Sequence, residues 1–436
     1  MKGNLTMKKV AFYTLGCKVN QYETEAMSEL FQNAGYELCD FMSYADIYVI
    51  NTCTVTSMSD RKSRQIIRRA KKHNPDSIVV VTGCYSQTNP DAVLEIEDVN
   101  IVIGTKDRKN IVSICENIEK NDKISFVSDI MKTHNYEDLE ISHYNERTRA
   151  YIKIQEGCNQ FCSYCIIPYA RGPIRSRKMD EILRETKKLV DNGYTEIIYT
   201  GIHVASFGLD RGKAELADLL KQANKFDGLK RIRLSSIEPM TLNKEFIDSI
   251  KECEKLCPHF HLSLQSGCDE TLKRMNRKYT TAQYKEIVDG IRKNFKDVAI
   301  TTDIMTGFPG ETDEEFSKTL EFVKEISFAD AHIFQYSPRK GTPAAKRDDQ
   351  ISPEIKEKRS KELINICKKS QDTFISSFIG ETMEVLFEQP AKNGYFEGKT
   401  SNYITVYVKT NENLQGLYKN VVIDSTKNGI AYGTII

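Results

Sequence analysis

The sequence predicts an α/β protein in three parts: a parallel α/β sheet, a partial (β/α)6 barrel and a small all-β barrel. Three observations carry this prediction. Strand and helix signals alternate over residues 8–118, the pattern of a parallel sheet covered by helices. The alternation returns at residue 150 and runs through six units, which fits an incomplete barrel. After Gly380 the helical pattern stops, and five short strands follow with turn residues between them. A chain of 436 residues is also too long for one ordinary core.

In the first part, KKVAFYTL reads as a buried strand and YETEAMSELFQNAG as an amphipathic helix ending at Gly35. IYVINT is a second strand, SDRKSRQIIRRAKKHN a basic helix stopped by Pro75, SIVVVTG a third strand and NIVIGT a fourth. This part, residues 7–118, is expected to form a flavodoxin-like sheet, whose ligands lie beyond the carboxyl ends of the strands. Residues 119–148 are polar and irregular, a linker with room for one short strand. In the barrel, residues 149–376, the six strands are AYIKIQ, TEIIYTG, RIRLSS, HFHLSLQSG, VAITTDIMTG and AHIFQYS, with helical patterns such as TAQYKEIVDGIRKNF between them. A long helix, PEIKEKRSKELINICKKSQDTFISSF, leads into the last part, residues 377–436. Its strands TMEVLFE, YFEGKT, NYITVYVK, YKNVVIDST and GIAYGTII match an OB-like barrel in size and number.

Composition bounds the function. Apolar residues are 40% and charged residues 28%, no run approaches the ~18 apolar residues of a membrane span, and the N-terminus lacks a signal-peptide pattern. A cytoplasmic protein without a membrane segment is expected. Met7 offers an alternative start. The net charge of +1 creates no global attraction to nucleic acid, so RNA binding must come from local patches. Twelve cysteines in a cytosolic chain point to metal or redox work where they cluster, not to disulfides.

They cluster twice. In EGCNQFCSYCIIPYARG, Cys158, Cys162 and Cys165 follow the first barrel strand with C-x3-C-x2-C spacing. Structural zinc takes four ligands, usually as two close pairs, and no second pair accompanies this loop. Cys253 and Cys257 form the other near pair, around a helix end, and read as structural; His259 and His261 read as packing residues on a strand. A four-iron cluster held by three thiolates keeps one iron open for chemistry, and is the better fit. The second set is dispersed: Cys17 in TLGCKVN, Cys53 in INTCTVT and Cys84 in VTGCYSQ each follow a strand of the first sheet. One cysteine at a strand end is ordinarily a packing residue. Three at the same edge of one sheet indicate a shared metal site.

The Cys158–Cys165 loop, with Tyr164 before its last cysteine, resembles that of the radical S-adenosylmethionine (SAM) superfamily. The two trios together, with a C-terminal segment similar to an RNA-binding TRAM domain, resemble the radical SAM methylthiotransferase family over nearly the whole chain. TLGCKVNQYE, INTCTVT and QEGCNQFCSYCIIPYARG are most similar to the bacterial branch that adds a methylthio group at C2 of N6-threonylcarbamoyladenosine, position 37 of tRNA. Other branches act on isopentenyl-adenosine in tRNA or on an aspartate of a ribosomal protein. A non-catalytic iron–sulfur RNA-binding protein is the alternative outside the enzyme class.

The resemblance implies two 4Fe-4S clusters. Cys158, Cys162 and Cys165 would hold the one that cleaves SAM. Cys17, Cys53 and Cys84 would hold an auxiliary one that carries or donates sulfur, and a second SAM would give the methyl group. Tyr164 would touch the adenine of SAM and Thr200 and Gly201 the methionine amino group. Glu238 would meet the ribose or the substrate and Arg277 the cofactor carboxylate. Gln265 and Ser266 end the fourth strand, and Asp303, Gly307 and Pro309 offer a tight turn for adenine. The implied partners are the tRNA anticodon loop, an electron donor such as a flavodoxin or ferredoxin, and a sulfur donor.

Phosphate contacts need cations. RKSRQIIRRAKK places Arg61, Lys62, Arg64, Arg68, Arg69, Lys71 and Lys72 on one helix without an acid. ARGPIRSRK adds Arg171, Arg175 and Arg177, KRMNRK adds Lys273, Arg274 and Lys278, and the small barrel offers Tyr395, Phe396, Tyr403, Tyr407, Lys399 and Lys409, half of them core by alternation. An RNA lying across the basic helix, the barrel mouth and the β module is expected.

Overall fold

The computed structural model describes residues 7–119, 121–142 and 148–436. Six strands, β1 (Lys9–Thr14), β2 (Glu37–Cys39), β3 (Ile47–Thr52), β4 (Ile78–Gly83), β5 (Ile101–Ile103) and β6 (Ile124–Phe126), form one parallel sheet in the order β2-β1-β3-β4-β5-β6. Central β3 is buried at every position because both faces of the sheet are covered. Its alternate residues feed two apolar clusters, Tyr48 and Ile50 on one face, Ile47 and Val49 on the other. The four expected strands are all present. β2 and β6 are additional edge strands of three residues each. β6 lies inside the stretch read as a linker; residues 120 and 143–147 of that stretch are outside the described residues.

The six expected barrel strands also form: β7 (Ala150–Glu156), β9 (Glu196–Gly201), β10 (Arg231–Leu234), β11 (His259–His261), β12 (Ala299–Thr306) and β13 (Asp330–Gln335). They run parallel in that order, with single bridges Ile232–Leu256 and Ile237–Leu262 joining the β10 and β11 halves. A two-residue strand, β8 (Arg175–Ser176), pairs antiparallel with β7 at one edge, and β13 forms the other edge. The barrel therefore stays open. The helix Lys18–Asn33 of the first sheet packs on β7 and β9, where its Tyr22 and Ala26 join the barrel core.

β14 (Thr382–Pro390), β15 (Tyr395–Thr400), β16 (Thr405–Lys409), β17 (Tyr418–Lys427) and β18 (Ile430–Ile435) close into a five-stranded barrel. Phe387, Phe396, Val406 and Ile423 fill it, while Tyr395, Tyr407 and Tyr432 cluster on its outside. Arg231 and Arg233 of β10 donate to its backbone carbonyls at Lys399, Glu384, Ser401 and Thr400, and Asn402 Nδ2 donates to Asp297 O ahead of β12. The β module is thus docked at the amino ends of the barrel strands, opposite the mouth.

Candidate functional site

The loop after β7 is pinned before its cysteines begin. Gly157 sits at φ 76°, and a Cβ there would lie 1.8 Å from the Pro173 carbonyl oxygen, so only glycine fits. Cys158 N then donates to Gly172 O, Ser163 N to Met275 O and Ala344 N to Ser163 O, which anchors the loop to three other segments. Burial pushes the Cys158 thiol up to about 11 and the Cys165 thiol up to about 12. Cys158 feels Cys162, and Cys165 feels both Cys162 and Cys158.

Arg277 faces this trio. It donates through Nη1 to Cys162 Sγ (3.4 Å) and through Nη2 to Glu238 Oε2 (2.8 Å) and Ser263 O (3.1 Å). Tyr164 packs edge-on to Phe308, with ring centroids 6.5 Å apart. The structure therefore brings together Cys158, Cys162, Cys165, Tyr164, Glu238 and Arg277. His203, after β9, was not anticipated. Burial, with Arg277 nearby, pulls its imidazole down to about 4, so the ring is neutral. Both ring nitrogens, like Gln265 Oε1 after β11, are buried without a hydrogen-bond partner among the described residues. Orphaned polar atoms at a barrel mouth, beside three thiols and a guanidinium, fit a cluster and a polar cofactor such as SAM.

The second trio assembles as the sheet topology requires. Cys17, Cys53 and Cys84 follow β1, β3 and β4, which are adjacent in the sheet. A Cβ on Gly16 (φ 113°) would meet Cys53 Cβ at 3.0 Å, a measure of how closely the loops approach. Burial pushes the Cys17 thiol up and the Cys84 thiol up to about 12, against the pull of Arg171; Cys17 feels Cys53, and Cys84 feels both Cys53 and Cys17. Among the described residues no three His, Cys, Asp or Glu side chains converge on a single metal ion. A four-iron cluster does not ask for that convergence, because each thiolate takes a different iron.

Arg171 ties the trios together. It closes the five-residue helix Ile167–Arg171 directly behind the Cys158–Cys165 loop, and its Nε donates to Cys84 Sγ at 3.2 Å. It is fully buried in a six-charge network. Arg171 meets Glu23 and Glu156 at 2.5 Å, Arg108 meets Glu23 at 2.5 Å and Glu137 at 2.9 Å, and Lys153 meets Glu156 at 2.8 Å and Glu23 at 3.2 Å. Burial works against the Glu23 carboxylate, but Arg108, Arg171 and Lys153 outweigh it and hold it at about 2.

The expectation that Arg171, Arg175 and Arg177 meet RNA phosphate is corrected here. All three are buried, and Arg177 is paired with Glu185 and Asp138. A basic run at a domain junction finds carboxylates from distant segments and folds inward. Arg274 is likewise spent on Glu315 (2.5 Å), and Lys399 is half-buried, its ammonium 5.1 Å over the Tyr403 ring. Ser266 points away from the mouth: buried, it shares a hydrogen bond with Thr319 of the outer helix Asp313–Ile326. The helix Ser57–Ala70 behaves as expected. Arg61, Arg68 and Arg69 are exposed and Arg64 lies over the Tyr85 ring, while Asp60, in the first turn, is taken by Arg339 beyond β13. These arginines line a shallow groove of about 450 Å³.

Between the three parts lies a cavity of about 660 Å³. Cys17 and Lys18 border it from the sheet, Thr200, Gly201 and Asp303 from the barrel, and Tyr403 from the β module. Asp303 is thus a central-cavity residue, where it accepts from His261 Nε2 at 3.0 Å. His259 and His261 line the same cavity, so neither is merely a packing residue; His259 stacks on Tyr403, with centroids 4.7 Å apart. Cys17 is exposed and borders this space.

Comparison with known proteins places this geometry. A family model described as the radical SAM superfamily matches residues 152–323, and one described as uncharacterized protein family UPF0004 matches residues 9–104. The chain is 44% identical over 432 residues to the threonylcarbamoyladenosine tRNA methylthiotransferase MtaB of Bacillus subtilis (strain 168), covering 98% of this chain and 95% of that protein. It is 35% identical to a tRNA-2-methylthio-N(6)-dimethylallyladenosine synthase of Acetivibrio thermocellus, covering 97% and 90%. Among solved structures, the radical SAM methyltransferase TsrM from Kitasatospora setae, with cobalamin and a 4Fe-4S cluster bound, superposes with a TM-score of 0.60 at 15% identity over 78% of this chain and 77% of that one, a likeness of fold. Among the described residues no helix is long and apolar enough to cross a membrane.

Proposed function

The chain belongs to the radical SAM methylthiotransferases, enzymes that use an iron–sulfur cluster and SAM, and from that membership we propose that it converts N6-threonylcarbamoyladenosine at position 37 of tRNA to its 2-methylthio derivative. The observation that carries the reading is the pairing of the two cysteine trios across the helix Ile167–Arg171, with Cys17 opening onto a cavity large enough for a modified base. Cys158, Cys162 and Cys165 would hold one 4Fe-4S cluster and Cys17, Cys53 and Cys84 a second. When bound, these groups together with SAM supply a substrate radical, a sulfur atom and a methyl group.

The rest is done by the chain itself. Arg277 keeps a positive charge against Cys162 and fixes Glu238 in a charge-assisted pair. Neutral His203 and Gln265 offer unpartnered polar atoms at the mouth, and Tyr164 and Phe308 an aromatic wall. The cationic helix Ser57–Ala70, at the β13 side of the mouth, holds phosphate without reading sequence. Because the β module docks at the amino ends of the strands, an RNA touching both it and the mouth runs along the barrel flank. The site of action is the cytoplasm, and an electron donor such as a flavodoxin or ferredoxin and a sulfur donor are required partners.

The test is nucleoside mass spectrometry of total tRNA from cells lacking the gene, with and without its restoration. Loss and return of 2-methylthio-N6-threonylcarbamoyladenosine supports the proposal. An unchanged level of that nucleoside refutes the substrate.

A further inference from the structure

We propose that Lys18 is the specificity determinant of this site: its ammonium receives a carboxylate carried by the N6 substituent of the target adenine. The inference rests on the function proposed above and assigns a residue to its substrate choice.

The cationic end of the central cavity is built around Tyr403. That residue is held at φ 72°, an uncommon conformation for a non-glycine residue, and its ring is stacked on His259. Arg233, Lys399 and Arg149 stand 4.9, 5.1 and 5.6 Å from the ring centroid. Most of this charge is already answered. Arg233 and Arg149 lie 2.7 and 3.7 Å from Glu196, and Arg149 also pairs with Glu388 at 3.0 Å. Lys399 donates to Thr405. Lys18 differs: it borders the same cavity and makes no ion pair or hydrogen bond among the described residues, with burial working against its charge and Tyr403 the group that favours that charge most. Glu196 acts on it only from beyond ion-pair range and is committed to Arg149, Arg231 and Arg233. A partly desolvated cation without a partner is costly, and a ligand anion removes that cost.

Its position suits the chemistry. Lys18 is adjacent to Cys17, on the side where sulfur would be delivered. In adenine, C2 and the carbon bearing N6 flank the same ring nitrogen, N1. A group that holds the end of an N6 substituent therefore stands near the atom that receives sulfur. An uncharged substituent would leave the Lys18 ammonium unpaired, which makes one lysine a filter between acidic and apolar substituents.

The experiment compares an anticodon stem-loop carrying threonylcarbamoyladenosine with the same stem-loop as its carboxylate methyl ester, using the full-length protein with both clusters reconstituted. Stem-loop Kd by fluorescence anisotropy is measured before reduction, and KM and kcat after it; iron content checks each preparation. Wild type is expected to favour the acid over the ester by on the order of 100-fold in Kd and in KM. Lys18→Gln is expected to erase that preference and Lys18→Arg to keep most of it. Equal handling of acid and ester by wild type overturns the proposal even where Lys18→Gln proves unable to hold iron. So does a Lys18→Gln protein with full iron content that still prefers the acid. A wild type that methylthiolates a dimethylallyl stem-loop but neither the acid nor its ester refutes the substrate reading itself, a separate and recognisable failure.

Discussion

Replacing Glu23 by glutamine removes one negative charge from the network that joins the first sheet to the barrel. Three cations, Arg108, Lys153 and Arg171, face three carboxylates, Glu23, Glu137 and Glu156, with every side chain at most 7% exposed. Glu23 touches all three cations, so the variant leaves a net buried positive charge at its centre. Breaking a buried pair from one side costs about 3–5 kcal/mol. A second route to the magnitude agrees. Moving the carboxylate from its ordinary 4.5 to about 2 corresponds to about 3 kcal/mol of stability at neutral pH. The sign follows from the depressed value: the contribution is complete above pH 4.5 and fades as the pH falls through about 2. The chain has no tryptophan, so urea unfolding of the iron-free full-length protein is followed by tyrosine fluorescence and circular dichroism. Glu23→Gln is expected to lose about 3–5 kcal/mol at pH 7 relative to wild type, and the gap to close as the pH falls from 4.5 towards 2. A gap below about 1 kcal/mol at pH 7, or one unchanged in acid, refutes the account of the network.

Three further outcomes are expected. Cys162→Ala abolishes SAM cleavage to 5′-deoxyadenosine in the reduced protein, whereas Cys53→Ala keeps cleavage and stops sulfur insertion; a Cys53→Ala protein that still thiolates RNA shows that the sheet-edge trio is not the sulfur site. Arg68→Glu combined with Arg69→Glu weakens tRNA binding for cognate and non-cognate tRNAs alike and flattens its salt dependence by roughly one per lost phosphate contact, read by filter binding at several salt concentrations. Because burial lifts Cys84 and Cys165 to about 12 and Cys158 to about 11, iron capture must displace protons, so the initial rate of iron uptake by the iron-free protein rises from pH 7 to pH 9; a flat profile argues that the thiols are already ionised.

Much of the architecture was legible because periodicity is local. The six barrel strands and the five of the β module announce themselves as apolar runs bounded by turn residues. β2 does not, since a three-residue edge strand buries too little to leave a pattern, and β6 shows only as room for one short strand in the linker. The cysteine trios were legible because few chemistries need thiolates at those places. The arginines were not. ARGPIRSRK has the composition of an RNA-binding run, and only tertiary structure brings Glu23, 148 residues from Arg171, and Glu185 to it. Lys18 carries no sequence signal beyond its neighbour. Its meaning depends on Tyr403, on a different domain, and on partners that answer the neighbouring cations: Glu196 and Glu388 for the arginines and the Thr405 hydroxyl for Lys399.

The placement of charge also argues that the sheet-edge trio is not a self-contained module. Arg171 belongs to the barrel yet donates to Cys84, while its guanidinium is held in place by Glu23 of the sheet and Glu156 of the barrel. The surroundings of one trio therefore depend on the docking of the domain that bears the other. The cavity repeats this logic, with Cys17 and Lys18 at one wall, barrel strand ends at another and Tyr403 at a third. On the function proposed above, a cluster at the sheet-edge trio assembled before the domains dock would expose reactive iron to solvent without a substrate to receive its sulfur. Building each wall from a different domain links completion of the site to completion of the fold.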